Sequence, residues 1–211
     1  MNVVADLLAR HPGGTLKLNL GCGSKRIEGH VGVDIGPGAD VTMDVAEFIA
    51  ALPPACVQAV YTRHFLEHVP ADRLVALLRD IDRVLVPGGT LRIIVPHFSN
   101  PYYYSDPTHR TPFGLYTFSY LCERSCLRRG VPSYAALRGW SLQRARPKWL
   151  PYWQPRLGRL KLPMPADLLN LLVARSRAAS EWFERHLCWV LPIYEVEFRI
   201  AKDAVRNGES P

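Results

Sequence analysis

Hydrophobic and polar positions in the first hundred residues follow two periods, and together they predict strands alternating with loops and one strong helix. Leu16-Lys17-Leu18-Asn19-Leu20 has period two and stops at Gly21, the pattern of a strand that ends in a tight loop. His30-Val31-Gly32-Val33-Asp34-Ile35 predicts a second strand, closed by Gly36-Pro37-Gly38. A short third strand is expected over 39–43, and a fourth over 57–62 after the breaker Pro53-Pro54. Pro70 then stands where a first-turn proline belongs, and Leu74, Leu77, Leu78, Ile81, Val84 and Leu85 share one helical face. Pro87-Gly88-Gly89 should stop that helix, and the apolar, β-branched run 90–95 predicts a buried fifth strand. Strands alternating with helical segments imply a parallel sheet covered on both faces.

After Pro96 the pattern changes. Residues 97–112 are rich in Pro, Tyr, Asn and Asp and predict a long loop of the kind that carries function. Residues 113–129 predict a helix ended by Gly130. The stretch 140–165 sets Trp140, Trp149, Tyr152 and Trp153 among prolines and basic residues. Residues 167–190 read as one amphipathic helix with Leu168, Leu172, Ala179, Phe183 and Leu187 on a stripe. Glu195-Val196-Glu197-Phe198-Arg199-Ile200 alternates as a final strand.

Composition narrows the class. A chain of 211 residues, 48% hydrophobic and 21% charged, is an ordinary globular chain of one domain, and disorder as the main state is excluded. The first residues hold Asp6 and Arg10 and lack a long apolar core, so no signal peptide is expected. Five scattered cysteines without a Cys-x-x-Cys pair argue against a disulfide scaffold or zinc ribbon and fit a reducing cytoplasm. The net charge of +7 is unevenly spread: residues 110–190 carry 14 Lys/Arg against 4 Asp/Glu, the remainder 12 against 15. A neutral front half and a basic back half predict either a solvated basic face or a surface that meets something anionic.

The candidate chemistry sits at the carboxyl ends of the predicted strands. The loop Asn19-Leu20-Gly21-Cys22-Gly23-Ser24 lets the backbone approach a ligand closely. Asp34, ending the second strand, is placed to accept the two ribose hydroxyls of a nucleoside, and Asp44, ending the third, to meet an adenine amino group. In an open α/β sheet such residues converge on one crevice. A dinucleotide is disfavoured: Arg26 stands where the third glycine belongs, Ser24 to Gly29 is too short for a full crossover helix, and Asp34 follows Gly23 by 11 residues rather than about 20. The loop suits a ligand with an amino-acid tail and no phosphates.

Leu18-Asn19-Leu20-Gly21-Cys22-Gly23, Val33-Asp34, His64-Phe65-Leu66-Glu67-His68-Val69 and Arg83-Val84-Leu85-Val86-Pro87-Gly88-Gly89-Thr90-Leu91 together resemble a class I S-adenosylmethionine-dependent methyltransferase of the type 11 group. Pro96-His97-Phe98 and Asp106-Pro107-Thr108-His109-Arg110 extend the resemblance over roughly residues 16–113. It implies an α/β, Rossmann-like fold with a mostly parallel seven-strand-type sheet and an antiparallel final strand. A single domain would span 1–211, with 97–192 as a substrate-side lid. The cofactor implied is S-adenosylmethionine. Asn19, Gly21, Cys22 and Gly23 would face its methionine part, Asp34 and Ile35 its ribose, Asp44 and Val45 its adenine, and the backbone at Arg63 and His64 the methionine side.

Methyl transfer requires alignment of an acceptor with the sulfonium methyl and, for a hydroxyl acceptor, a base near neutral pKa. His97, just past the fifth strand, is the first candidate, followed by Asp106 and His109; all three have the alternative of bracing the loop. His64-x-x-Glu67-His68 matches an inverted zinc-protease signature, but it precedes its helix rather than lying on it, so it reads as a strand-to-helix turn. No tight ligand spacing supports a metal on His97, Asp106 and His109, and no metal is expected. The expected reaction is O-methylation of a small-molecule or glycan-like acceptor, phosphate- or lipid-linked given the basic back half. Trp182, Phe183 and Trp189 offer peripheral membrane contact as an alternative to core packing. RNA methylation and a non-catalytic cofactor-binding partner are the other readings; neither a nucleic-acid module nor an Asn/Asp-Pro-Pro-aromatic motif supports RNA. The location expected is cytoplasmic, with membrane association left open.

Overall fold

The computed structural model describes residues 3–10, 15–134, 137–149, 156–157, 160–161 and 165–204. Tyr152 and Trp153, two of the aromatics expected in the back half, lie outside them. After a short helix α1 (Val3–Ala9), the first half forms β1 (Leu16–Leu20), β2 (Val31–Asp34), β3 (Val41–Thr42), α2 (Val45–Ala51), β4 (Val57–Arg63), α3 (Ala71–Val84) and β5 (Leu85–Pro96). The second half contributes β6 (Cys122–Ser125), β7 (Leu137–Lys148), a two-residue pair β8 (Arg156–Leu157) and β9 (Leu160–Lys161), α4 (Pro165–Leu172), α5 (Arg177–His186) and β10 (Glu195–Lys202).

Eight strands make one sheet in the order β3-β2-β1-β4-β5-β10-β7-β6. Only β10 runs against its neighbours, pairing antiparallel with β5 and β7; the other pairs are parallel. This is the Rossmann-like sheet with an antiparallel last strand that the motifs imply, with β6 added at its edge. Leu18, Val33, Val57, Ile93 and Phe198 are fully or almost fully buried, as strands covered on both faces require. Helix α3 buries Leu74, Leu77, Leu78, Ile81 and Val84 as its spacing predicts. Its end differs from expectation. Leu85 is already extended, and Pro87-Gly88-Gly89 lies inside β5, where the pairing register with β4 shifts between Val57/Leu85 and Ala59/Thr90. Proline and glycine here make a bulge rather than a stop.

Two expectations for the back half are corrected. Residues 113–129 are not a helix: a 3-10 turn at Thr117–Tyr120 leads into β6, which pairs with β7. Phe113, Leu115, Phe118 and Cys122 all reach the core by this irregular path, and Phe118 meets Phe198 edge-on at 4.7 Å. The front of the basic, aromatic stretch, for which the sequence predicts no element, is the 12-residue strand β7. Trp140 and Leu142 point inward, and Trp140 Nε1 donates to Asp82 of α3 at 2.7 Å, while Arg138 of the same strand is exposed. The helix expected over 167–190 is two helices. Ser176 interrupts it and caps α5 by accepting from the Ala179 N–H. The stripe therefore splits: Phe183 is buried, whereas Leu168 and Leu172 are exposed.

β10 shows how alternation misleads at a central strand. Glu195 and Glu197 occupy its polar positions yet are buried, held by cations rather than water. Glu197 accepts from Arg92 at 2.9 Å and faces Lys148 and Arg199; Glu195 accepts from Arg63 at 2.7 Å. No helix among the described residues is long and apolar enough to cross a membrane.

Candidate functional site

Strand order reverses at β1, with β2 on one side and β4 on the other, and α/β sheets open a ligand crevice at that point. A cleft of about 520 Å³ lies there, in the size range of small-molecule sites. Asn19 lines it from β1, Gly21, Cys22, Lys25, Arg26 and Ile27 from the following loop, Tyr61 and Arg63 from β4, and His64 from just after it. Residues 21–30 form turns in place of a crossover helix, so the loop itself walls the cleft. Lys25, Arg26 and Arg63 give this wall positive charge, although Arg26 pairs with Asp40 and Arg63 with Glu195.

Backbone bonds fix the loop. The Gly21 and Cys22 N–H groups donate to the Val33 carbonyl at 2.9 and 3.4 Å, and the buried Asn19 amide donates to the Lys25 carbonyl at 3.1 Å. Gly21 has φ +65°, and a Cβ there would stand 2.4 Å from Phe65 Cβ. Gly21→Ala should therefore lower unfolding free energy by about 2–4 kcal/mol, through left-handed strain and overpacking together. Urea unfolding at fixed pH measures it; a loss below half a kcal/mol would show that Phe65 moves aside freely.

Asp34 ends β2 with its carboxylate turned back to the loop: Oδ2 accepts from the Gly23 N–H at 2.8 Å and Oδ1 from the Gly36 N–H at 2.7 Å. A carboxylate has about four acceptor positions, so two remain open. Beside it Ile35 is 75% exposed, an apolar side chain left open at a strand end. Asp44 caps α2, its Oδ1 accepting from Ala46 and Glu47 at 2.8 and 3.1 Å, while Val45 is buried in the core.

His64 has φ +55°, a left-handed conformation that non-glycine residues rarely hold away from functional or strained sites. Its Nε2 lies 2.6 Å from Glu195 Oε1. Burial pushes the Glu195 carboxyl up, but hydrogen bonds from His64 and Arg63 outweigh it and hold the pKa down to about 2. A depressed carboxylate stabilises the fold above its unfolded pKa and loses that contribution as pH falls through its folded pKa. Stability should therefore drop between about pH 5 and pH 2 by a few kcal/mol. Urea unfolding at pH 7 and pH 3 tests this: the wild type should lose more over the interval than Glu195→Gln. Equal losses would remove Glu195 as the source.

The structure separates the three catalytic candidates. His97 is fully buried, with Nδ1 accepting from the Ser99 N–H at 3.0 Å and Nε2 at 2.9 Å from Glu184 Oε1 of α5. Burial lowers its pKa, partly countered by Glu184. The neutral ring thus donates through Nε2 and has no lone pair to offer, and it does not line the cleft. Asp106 and His109 do meet, with Oδ2 3.7 Å from Nε2. Their loop is pinned onto the turn after β4, because the Arg110 and Thr111 N–H groups donate to the Glu67 carbonyl at 2.7 and 3.1 Å. Beneath them Glu67 is fully buried, and burial raises its pKa to about 7. Sequence reasoning missed Glu184 and Glu195, which lie 87 and 131 residues from their histidines; no local signal marks them.

Residues 18–93 match the methyltransferase domain family. None of the curated proteins matches the sequence. A SAM-dependent methyltransferase from Archaeoglobus fulgidus is similar in structure, with TM-score 0.54 and 18% identity over 94% of this chain and 91% of that one. A chain of the Haloferax volcanii complex between the Trm112 methyltransferase activator and a putative methyltransferase gives TM-score 0.51 and 16% identity, covering 98% and 90%. Phosphoethanolamine N-methyltransferase 2 of Haemonchus contortus, solved with S-adenosylmethionine, gives TM-score 0.50 and 15% identity over 97% of this chain and 53% of that one. At such identities the likeness is one of fold. Motif, topology and family match agree: residues 18–93 carry the type 11 methyltransferase-domain signature, on a sheet of the class I fold.

Proposed function

We propose that the protein transfers the methyl group of S-adenosylmethionine to a hydroxyl oxygen of a small-molecule or glycan-like acceptor. The observation that carries this reading is the gathering of His64, His68 and His109 at the sheet edge where the cofactor cleft ends: a hydroxyl must lose a proton to accept a methyl group, and imidazoles serve that need near neutral pH. In this reading Asn19, Gly21, Cys22 and Gly23 receive the methionine part, with Lys25 and Arg63 supplying charge for its carboxylate. Asp34 holds the ribose, Ile35 packs on the adenine, and the chain at Asp44 and Val45 edges it. Activation of the acceptor falls to the His109 side of the loop, and His97 becomes a brace.

Residues 97–192 serve as the acceptor lid. A negatively charged acceptor, phosphate- or lipid-linked, is supported by the surface where Arg128, Arg129 and Arg185 gather round exposed Trp182. The test uses S-adenosylmethionine with a ¹³C-methyl group and small-molecule extracts fractionated by charge. A methoxy carbon signal in an anionic fraction supports the reading; a methylamino or methylthio signal overturns it.

A further inference from the structure

Glu67 lies at the start of the inference because its burial has no evident compensation. Both carboxyl oxygens are buried without a hydrogen-bond partner among the described residues, and the nearest basic side chain is His64, with Nδ1 at 3.5 Å. A buried carboxylate in that state costs several kcal/mol unless something pairs with it. Ligand atoms of Glu67, His68 and His109 all lie within 4.8 Å of one another.

The two imidazoles are set in the tautomer a metal needs. His109 Nδ1 lies 2.8 Å from the Tyr103 carbonyl, which only accepts, so Nδ1 carries the hydrogen and Nε2 the lone pair. His68 Nδ1 lies 2.9 Å from Thr108 Oγ1. That hydroxyl spends its own hydrogen on Asp106 Oδ1 at 2.6 Å, so it accepts from His68, and Nε2 is again the lone-pair nitrogen. Imidazoles that ligate metals are oriented in this way, by donating their other N–H to a carbonyl or to a group backed by a carboxylate.

We propose that Glu67, His68 and His109 bind one divalent transition-metal ion, of the Zn²⁺ or Mn²⁺ class, whose open positions take the acceptor's oxygen. Two imidazole nitrogens and one carboxylate suit such ions better than Mg²⁺, which prefers all-oxygen sites. Metal bonds of about 2.0–2.2 Å require the three ligand atoms to draw closer together than 4.8 Å, which side-chain torsions on the turn and the loop provide. His64 links the two sites, lining the cofactor cleft while facing Glu67. The role given to the ion rests on the O-methylation reading above. With the lone pairs of His68 and His109 committed to the ion, these imidazoles activate the hydroxyl through the metal and not as bases. The bound hydroxyl loses its proton to solvent, and its oxygen bonds to the methyl carbon as the carbon–sulfur bond breaks. The sulfonium is left as a neutral thioether.

The experiment measures metal apart from activity. Protein stripped with chelator is titrated with Co²⁺, followed by visible absorption, and then challenged with Zn²⁺; S-adenosylhomocysteine affinity and melting curves are recorded on the same samples. Wild type and the surface control His186→Ala should take up one equivalent of Co²⁺, displaced by Zn²⁺. Binding should weaken at least about tenfold in Glu67→Gln and His109→Ala, with cofactor affinity preserved. Should Glu67→Gln fail to fold, His109→Ala decides alone, since its ring sits on a loop outside the main core. Uptake far below one equivalent by folded wild type, or equal affinity in His109→Ala, overturns the site. Stoichiometric uptake without a methoxy product keeps the site and removes the reaction; a methoxy product without uptake does the reverse.

Discussion

Asp34→Ala is expected to weaken S-adenosylhomocysteine binding by roughly 10²-fold or more. Two hydrogen bonds from ribose hydroxyls to a carboxylate are each worth about 1.5–3 kcal/mol, and each 1.4 kcal/mol is about a factor of ten in affinity. The carboxylate is already held by Gly23 and Gly36 from two sides, so little ordering accompanies binding and most of that energy appears as affinity. Its removal also frees the Gly23 and Gly36 N–H groups, which loosens the loop that walls the cleft. Calorimetry on the folded variant measures the effect, and unchanged affinity would take Asp34 out of the site. Asp44→Ala is the informative comparison: its carboxylate caps α2, so its first effect is a loss of about 1 kcal/mol of stability.

His97→Ala is expected to act on stability instead. The ring is sealed from solvent between Ser99 and Glu184, and Glu184 Oε1 also accepts from the Leu115 N–H at 2.6 Å. Removing the ring leaves a cavity and an uncompensated partner, for which about 3–5 kcal/mol is typical. That corresponds to a fall in melting temperature on the order of 10 °C for a domain of this length. Single-turnover rate per folded molecule should change little, against the 10²–10⁴-fold loss that removal of a general base brings. A variant that melts like wild type yet has lost turnover would return His97 to the chemistry.

The local sequence determined the five strands and the long helix α3 of the front half, because these are specified by neighbours. The period-two run at Leu16–Leu20, the glycine loop, Asp34 at the next strand end and the five-residue apolar face of α3 are short-range patterns, and the cleft follows from them by topology. Apart from β10, which its alternation announced, the back half was illegible for a physical reason. β7 hides its inward Trp140 and Leu142 among arginines, and β6 exists as a strand only through its pairing with β7. One continuous helix was expected where Ser176 caps a second one.

The site divides along the same line. The cofactor-side candidates are placed by position within a strand or its following loop, and of them Asn19, Gly21, Cys22 and His64 line the cleft. The fate of the histidines was decided by tertiary contacts of long sequence separation. Glu184 closes over His97, Glu195 over His64, and the loop of residues 106–111 is pinned onto Glu67. A histidine's chemistry depends on which nitrogen is already bonded, and only the folded chain supplies the partners that settle it.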